Sequence, residues 1–186
     1  MNTYTYTESI PEKHELLTKY PKIVAQLLLN RNIMTLADAE NFLEPKFENN
    51  YDPFLLKDMG KSLDRFYTAI KNNEKITIYA DYDADGIPGS IVLVNLLEKI
   101  DYTNFDIYIP HRHDEGYGIH IEALEKIAES GTSLIITIDV GITAHEAAEW
   151  CRENNVDLII TDHHLPLSHA DGTQHLPNSF SLINPK

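Results

Sequence analysis

The chain has one cysteine, fifteen basic residues against twenty-nine acidic ones, and no apolar run near membrane length in its 186 residues. A lone Cys151 excludes a disulfide framework and zinc-finger spacing, and it fits a reducing, cytoplasmic setting. A membrane helix needs about 20 consecutive apolar residues, so no membrane association is expected. The opening MNTYTYTESIPEKHE has no charged n-region followed by an apolar core, so no secretory signal is expected either. A net charge of -14 argues against a binder that holds DNA or a lipid surface by positive charge alone. At 42% hydrophobic and 24% charged, the composition excludes disordered, collagenous and coiled-coil chains.

The acidity is unevenly placed. Residues 1–75 hold ten basic and eleven acidic side chains, whereas residues 76–186 hold five and eighteen. Chemistry that needs carboxylates therefore belongs to the second part. The first 72 residues read as a nearly neutral helical region. Ile23, Val24, Leu27 and Leu28 share a helical face after Pro21, residues 36–43 form a second short helix, and Met59, Leu63, Phe66, Tyr67 and Ile70 mark a third. A supporting role is expected there, with DNA contact as the alternative.

From residue 73 the pattern changes. Short apolar runs at 75–80, 105–109, 133–138, 157–160 and 181–183 alternate with helical stretches near 88–100, 120–130 and 143–155. Such alternation predicts an α/β fold with a mostly parallel sheet flanked by helices, built from right-handed βαβ units. In these sheets functional groups gather beyond the carboxyl ends of the strands. Those ends are polar here: DYDADG (Asp81, Asp83, Asp85) follows the first strand, IPHRHDEGYG the second, Asp139 the third, and Asp162, His163 and His164 the fourth.

Each piece alone has a plainer meaning. DYDADG reads as an Asp-rich turn or half an EF-hand loop, although residues 89–97 lack the acid an EF-hand requires. Asp139 could cap the helix after it. Paired histidines are more often surface or core residues than ligands. Side by side at parallel strand tips, these carboxylates would repel one another unless cations neutralised them. Carboxylate oxygens with imidazole nitrogen suit Mn²⁺ or Mg²⁺.

ADYDADG, RHDEGYG (112–118), IDVGI and TDHH, in this order and spacing, resemble the DHH phosphoesterases, and within them the RecJ-type exonucleases specific for single strands. The helical segment IVAQLLLNRNIMTLADAENFLEP is also similar to the region that precedes the first motif in that type. The resemblance implies Asp81, Asp83, Asp85, Asp139 and His163 as metal ligands, with Asp139 bridging two ions. It implies His164 beside the scissile phosphate and Asp162 as the acid that orients a histidine. Substrate contacts are implied for Arg112, Gly116, Tyr117, Gly118 and Ser90. The activity implied is 5′-to-3′ hydrolysis of single-stranded DNA by two divalent ions, Mn²⁺ or Mg²⁺. A single-strand-binding protein and a helicase are the implied partners.

Two departures from the family pattern stand out. Pro88 occupies the position where a Thr or Ser is usual after the first motif, which removes a hydroxyl contact. The family pattern also continues well beyond SLINPK, so residues 73–186 are expected to be an incomplete DHH domain, poorly active alone. The alternatives are a DHH phosphodiesterase for short oligonucleotides or cyclic dinucleotides, and a non-catalytic DHH scaffold. The first normally carries a His before its Asp-x-Asp pair, where this chain has IYADY; the second loses ligands that are present here.

Overall fold

The computed structural model describes residues 8–169 and 171–186. It divides into two units, Met1–Asp52 and Pro53–Lys186. In the first, a 3₁₀ turn at Glu15–Thr18 precedes α1 (Lys22–Leu29) and α2 (Leu36–Leu43). Pro21 is the N-cap of α1. Thr35 caps α2 by accepting the Asp38 N–H at 3.1 Å. Ile10, Leu16, Ala25, Leu28 and Ala39 form this unit's core. The expected inward face of α1 is only half correct, because Ile23 and Leu27 are exposed. The segment's neighbours pack on the Ala25–Leu28 side instead.

The second unit begins with α3 (Met59–Asn72) and continues β1 (Lys75–Ala80), α4 (Gly86–Lys99), β2 (Phe105–Tyr108), α5 (Ile121–Glu129), β3 (Thr132–Ile138), α6 (His145–Glu153) and β4 (Asp157–Thr161). A short antiparallel hairpin, β5 (Leu167–Ser168) with β6 (Gln174–His175), precedes β7 (Ser181–Ile183). α3, which lies in the helical region expected to reach residue 72, falls within the second compact unit. Phe66 and Ala69 bury against Ile76, Ile78 and Leu134. Arg65 pairs with Glu74 at 2.6 Å and with Asp157 at 2.5 Å. Burial of apolar surface and a shielded ion pair thus fasten the helix to the strands.

The five-stranded sheet has the order β2-β1-β3-β4-β7, and every pair is parallel. Side chains alternate between its faces. Ile76, Ile78, Leu134, Ile136 and Ile159 meet residues of α3 and α4 on one side. Tyr79, Ile135, Leu158 and Ile160 meet residues of α5 and α6 on the other. After β1 the chain turns to β2 on one side, then crosses to β3 on the other. That reversal opens a crevice between the carboxyl ends of β1 and β3, the place where doubly wound sheets bind ligands. Among the described residues no helix is long and apolar enough to cross a membrane.

Candidate metal centre

The turn after β1 delivers three carboxylates by tight packing. A Cβ on Gly86 would lie 2.5 Å from the Asp81 carbonyl oxygen, and one on Gly89 would lie 2.6 Å from the Ile138 side chain. Glycine at both positions lets α4 start directly against the turn and the sheet. Asp83 Oδ1 accepts the N–H groups of Asp85 and Gly86, each at 3.2 Å. The Gly86 N–H, with lesser help from Asp85, draws the Asp83 carboxyl down to about 2. Asp81 is buried, and its Oδ1 accepts the N–H of Tyr82 at 2.8 Å.

Asp139, at the tip of β3, has a left-handed backbone with φ of 64°. It does not cap α6, whose N-cap is Ala144. Both of its carboxylate oxygens are buried without a hydrogen-bond partner among the described residues. Burial first, then the close approach of the Asp85 carboxylate and its negative charge, with Asp83 adding to both, push its carboxyl up to about 6. His163 Nε2 lies 2.9 Å from Asp139 Oδ1 and 3.2 Å from Asp85 Oδ2. The first contact is within ion-pair range but lacks hydrogen-bond alignment.

Asp162 works from beneath. Its Oδ1 accepts the N–H of His163 at 2.7 Å and of His164 at 3.0 Å, and it lies 2.7 Å from His164 Nδ1. Its Oδ2 accepts the Ile142 N–H at 2.8 Å. One buried carboxylate therefore fixes the loop after β4, the loop after β3 and one imidazole ring. The hydrogen bond to Asp162 raises the pKa of His164.

Ligand-capable atoms of Asp81, Asp83 and Asp139 lie within 4.8 Å of one another, as do those of Asp139, His163 and His164. Asp139 belongs to both groups. This donor set, carboxylate oxygen with imidazole nitrogen, suits Mn²⁺ or Mg²⁺. The two orphaned oxygens of Asp139 are what a cation would satisfy. Cys151 contributes nothing here: it is buried in the core on α6, and burial pushes its thiol up to about 12.

The loop after β2 stands beside this cluster. Gly116 and Gly118 have φ of 80° and 111°, a region open to glycine. Tyr79 Oη donates to the Gly118 carbonyl at 3.0 Å, and Glu115 accepts from the Tyr108 hydroxyl and the His111 N–H. Tyr117 meets the His164 ring edge-on, with centroids 6.2 Å apart. Arg112 is exposed, and its guanidinium lies 4.6 Å from the Tyr82 ring centroid. Ser90 does not join the site. It is buried in α4, and its hydroxyl donates to the Ile87 carbonyl at 2.7 Å. Residue type and spacing gave no sign of three contributors: Thr137, which bonds to the Val140 carbonyl at 2.6 Å, Asn184, which donates to the His164 carbonyl at 3.0 Å, and Tyr82. Each acts through a neighbour from another loop or strand.

Comparison with known proteins places the chain among relatives of one family. The family model for the DHH family, N-terminal domain, matches residues 75–186. The single-stranded-DNA-specific exonuclease RecJ of Bacillus subtilis (strain 168) is 43% identical over 164 residues, which is 88% of this chain and 20% of the relative. The protein of the same name from Escherichia coli (strain K12) is 27% identical over 95% of this chain and 29% of its own length. Among solved structures, an exonuclease RecJ bound to manganese superposes with a TM-score of 0.63 and 31% identity, over 73% of this chain and 33% of that one. RecJ from Thermus thermophilus in complex with Mn²⁺ gives 0.61 and 25%, over 87% and 20%. The chain thus spans a third or less of the length of these proteins. The family match takes in the whole parallel sheet, from the first residue of β1 to Lys186, and on that ground the chain belongs to the DHH family.

Proposed function

We propose that this chain is the metal-binding part of a phosphodiester hydrolase acting 5′ to 3′ on single-stranded DNA, with two divalent ions, Mn²⁺ or Mg²⁺. The observation that carries the reading is Asp139: a buried carboxylate whose two oxygens have no hydrogen-bond partner among the described residues, shared by two groups of potential ligands. Similarity to exonucleases named for single-stranded DNA, and to solved RecJ structures holding manganese, supports the substrate and the metal.

In this reading Asp81, Asp83 and Asp139 hold one ion, and Asp139, Asp85 and His163 hold the other. Divalent ions supply Lewis-acid stabilisation to phosphoryl transfer and lower the pKa of water. The chain's own residues do the rest. Asp162 holds His164 with Nδ1–H toward its carboxylate, so that the protonated ring presents Nε2–H to a phosphate as a hydrogen-bond donor. Arg112 presents a planar fork suited to phosphate oxygens, and Tyr82 supports that fork from below. The left-handed Gly116 and Gly118 keep the loop free of side chains on either side of Tyr117, whose half-exposed ring is available to stack on a base. A cytoplasmic location and work alongside a single-strand-binding protein and a helicase belong to the same proposal.

Calorimetric titration with Mn²⁺ tests the site, and release of nucleotides from 5′-labelled single strands tests the activity. Binding that is lost in Asp139→Asn is expected. Unchanged binding would refute the site, and preference for dinucleotides over long strands would replace the exonuclease reading with the short-oligonucleotide one.

A further inference from the structure

Asp139 holds a left-handed backbone, which a residue other than glycine keeps only when its surroundings over-determine it. The hydrogen bonds around it show how. Thr137 is fully buried at the end of β3. Its Oγ1 donates to the Val140 carbonyl at 2.6 Å and accepts the Thr161 N–H at 3.3 Å. Thr161 Oγ1 donates back to the Thr137 carbonyl at 2.5 Å, and the Asp139 N–H donates to the Thr161 carbonyl at 2.9 Å. A single hydroxyl therefore closes the turn 137–140 and also ties it to the tip of β4, next to Asp162 and His163. The hydroxyl's donor and one of its two acceptor sites are in use.

Packing alone does not call for threonine here. The residues on this side of the sheet include Ile135, Val140 and Ile160, and valine has nearly the same shape as threonine. Burying a hydroxyl in such a place is unfavourable unless it is hydrogen-bonded. One of its bonds closes the turn that carries the shared carboxylate, and the other reaches the end of β4.

We propose that Thr137 is a positioning residue for the cation centre: its hydroxyl sets the turn that aims Asp139 between the β1 carboxylates and His163. The proposal rests on the reading of Asp139 as a metal ligand. Outer partners of metal ligands commonly alter affinity by about 10–100-fold when removed.

The test is Mn²⁺ binding to this chain, read from the electron paramagnetic resonance of the free ion well below the melting temperature. Thr137→Val is expected to weaken binding about tenfold or more, and Thr137→Ser, which keeps the hydroxyl, to bind as the parent does. Arg65→Met, which loosens α3 away from the site, is the control for lost stability and is expected to keep the parent affinity. If Thr137→Val loses its cooperative melting transition, Thr137→Cys carries the same expectation, since a thiol is a weak donor. Parent-like affinity in the valine or cysteine variant overturns the proposal, and so does equal weakening in Thr137→Ser. Asp139→Asn run alongside separates the two levels: parent-like binding there overturns the ligand reading itself.

Discussion

Removing the charge of Asp139 should make the metal-free protein more stable while abolishing its response to metal. The carboxyl titrates near 6 in the fold and near 3.9 in an unfolded chain. Between those values the native state holds a proton that the unfolded state has released. Stability therefore falls as pH rises through that window. Two pH units correspond to about 3 kcal/mol, which the coupling to Asp83 and Asp85 reduces to about 2–3 kcal/mol. An asparagine in its place would carry no such penalty, and asparagine tolerates a left-handed backbone better than alanine does. Its amide would also donate to the neighbouring carboxylates. In a chelating buffer, Asp139→Asn should match the parent near pH 4 and exceed it by about 2–3 kcal/mol at pH 7.5.

Urea unfolding followed by the single tryptophan, Trp150 on α6, reports on the sheet unit directly. Other titrations enter mainly as a common background, because Asp139 is a minor contributor to the shifts of Asp83 and His164. Asp83, drawn down to about 2, contributes stability that is lost only as pH falls below about 4. His164, raised by Asp162, contributes stability present below about 6.5 and lost as pH rises through its folded value. Both groups are present in parent and variant. With Mn²⁺ at about a thousand times its dissociation constant the parent should gain about 4.1 kcal/mol, the variant little, so their order reverses. A variant less stable than the parent at pH 7.5 without metal, or a difference that does not change with pH, would refute the reasoning.

Gly86→Ala should cost more than about 2 kcal/mol and weaken Mn²⁺ binding, because the new Cβ meets the Asp81 backbone, which cannot yield; denaturation and calorimetry read both. Arg65→Met should destabilise the sheet unit by about 2–3 kcal/mol in urea, by leaving Glu74 and Asp157 unpaired around a side chain that is 11% exposed. Glu74→Gln in the same chain should recover part of that loss. Asp162→Asn should lower the pKa of His164 toward the ordinary histidine range, visible in its ring-proton NMR titration; an unmoved pKa would deny Asp162 its orienting role.

The sheet was legible wherever its signal was local. β1 and β7 have the limits that their apolar runs predict, and the strand-tip motifs meet because parallel topology leaves them no other place. What depended on a distant partner was not legible. The helix 59–72 shows the same period as those before it, and only the Ile76 and Ile78 side chains reveal which unit it joins. Ser90 shows that motif spacing does not specify helical phase: in α4 it turns inward and bonds back to Ile87. The β5–β6 hairpin has two-residue polar strands with no alternation to read.

Charge carries the same lesson to the substrate. Residues 76–186 contain five basic side chains, and of these Arg112 and Lys186 follow the carboxyl ends of strands, while Arg152 on α6 is paired with Glu149. Two positive side chains cannot offset Asp81, Asp83, Asp85, Asp139 and Asp162 gathered at one edge. A polyanion approaching that edge unaided would be repelled. In the proposed reading, two divalent ions would bring four positive charges to the place where the carboxylates converge; they would cancel the repulsion that adds to burial in lifting Asp139 and would make the edge one a phosphate can approach. On that reading the acidity that argued against nucleic acid would be compatible with it only through metal, and the same carboxylates would account both for a cost in stability without ions and for affinity with them.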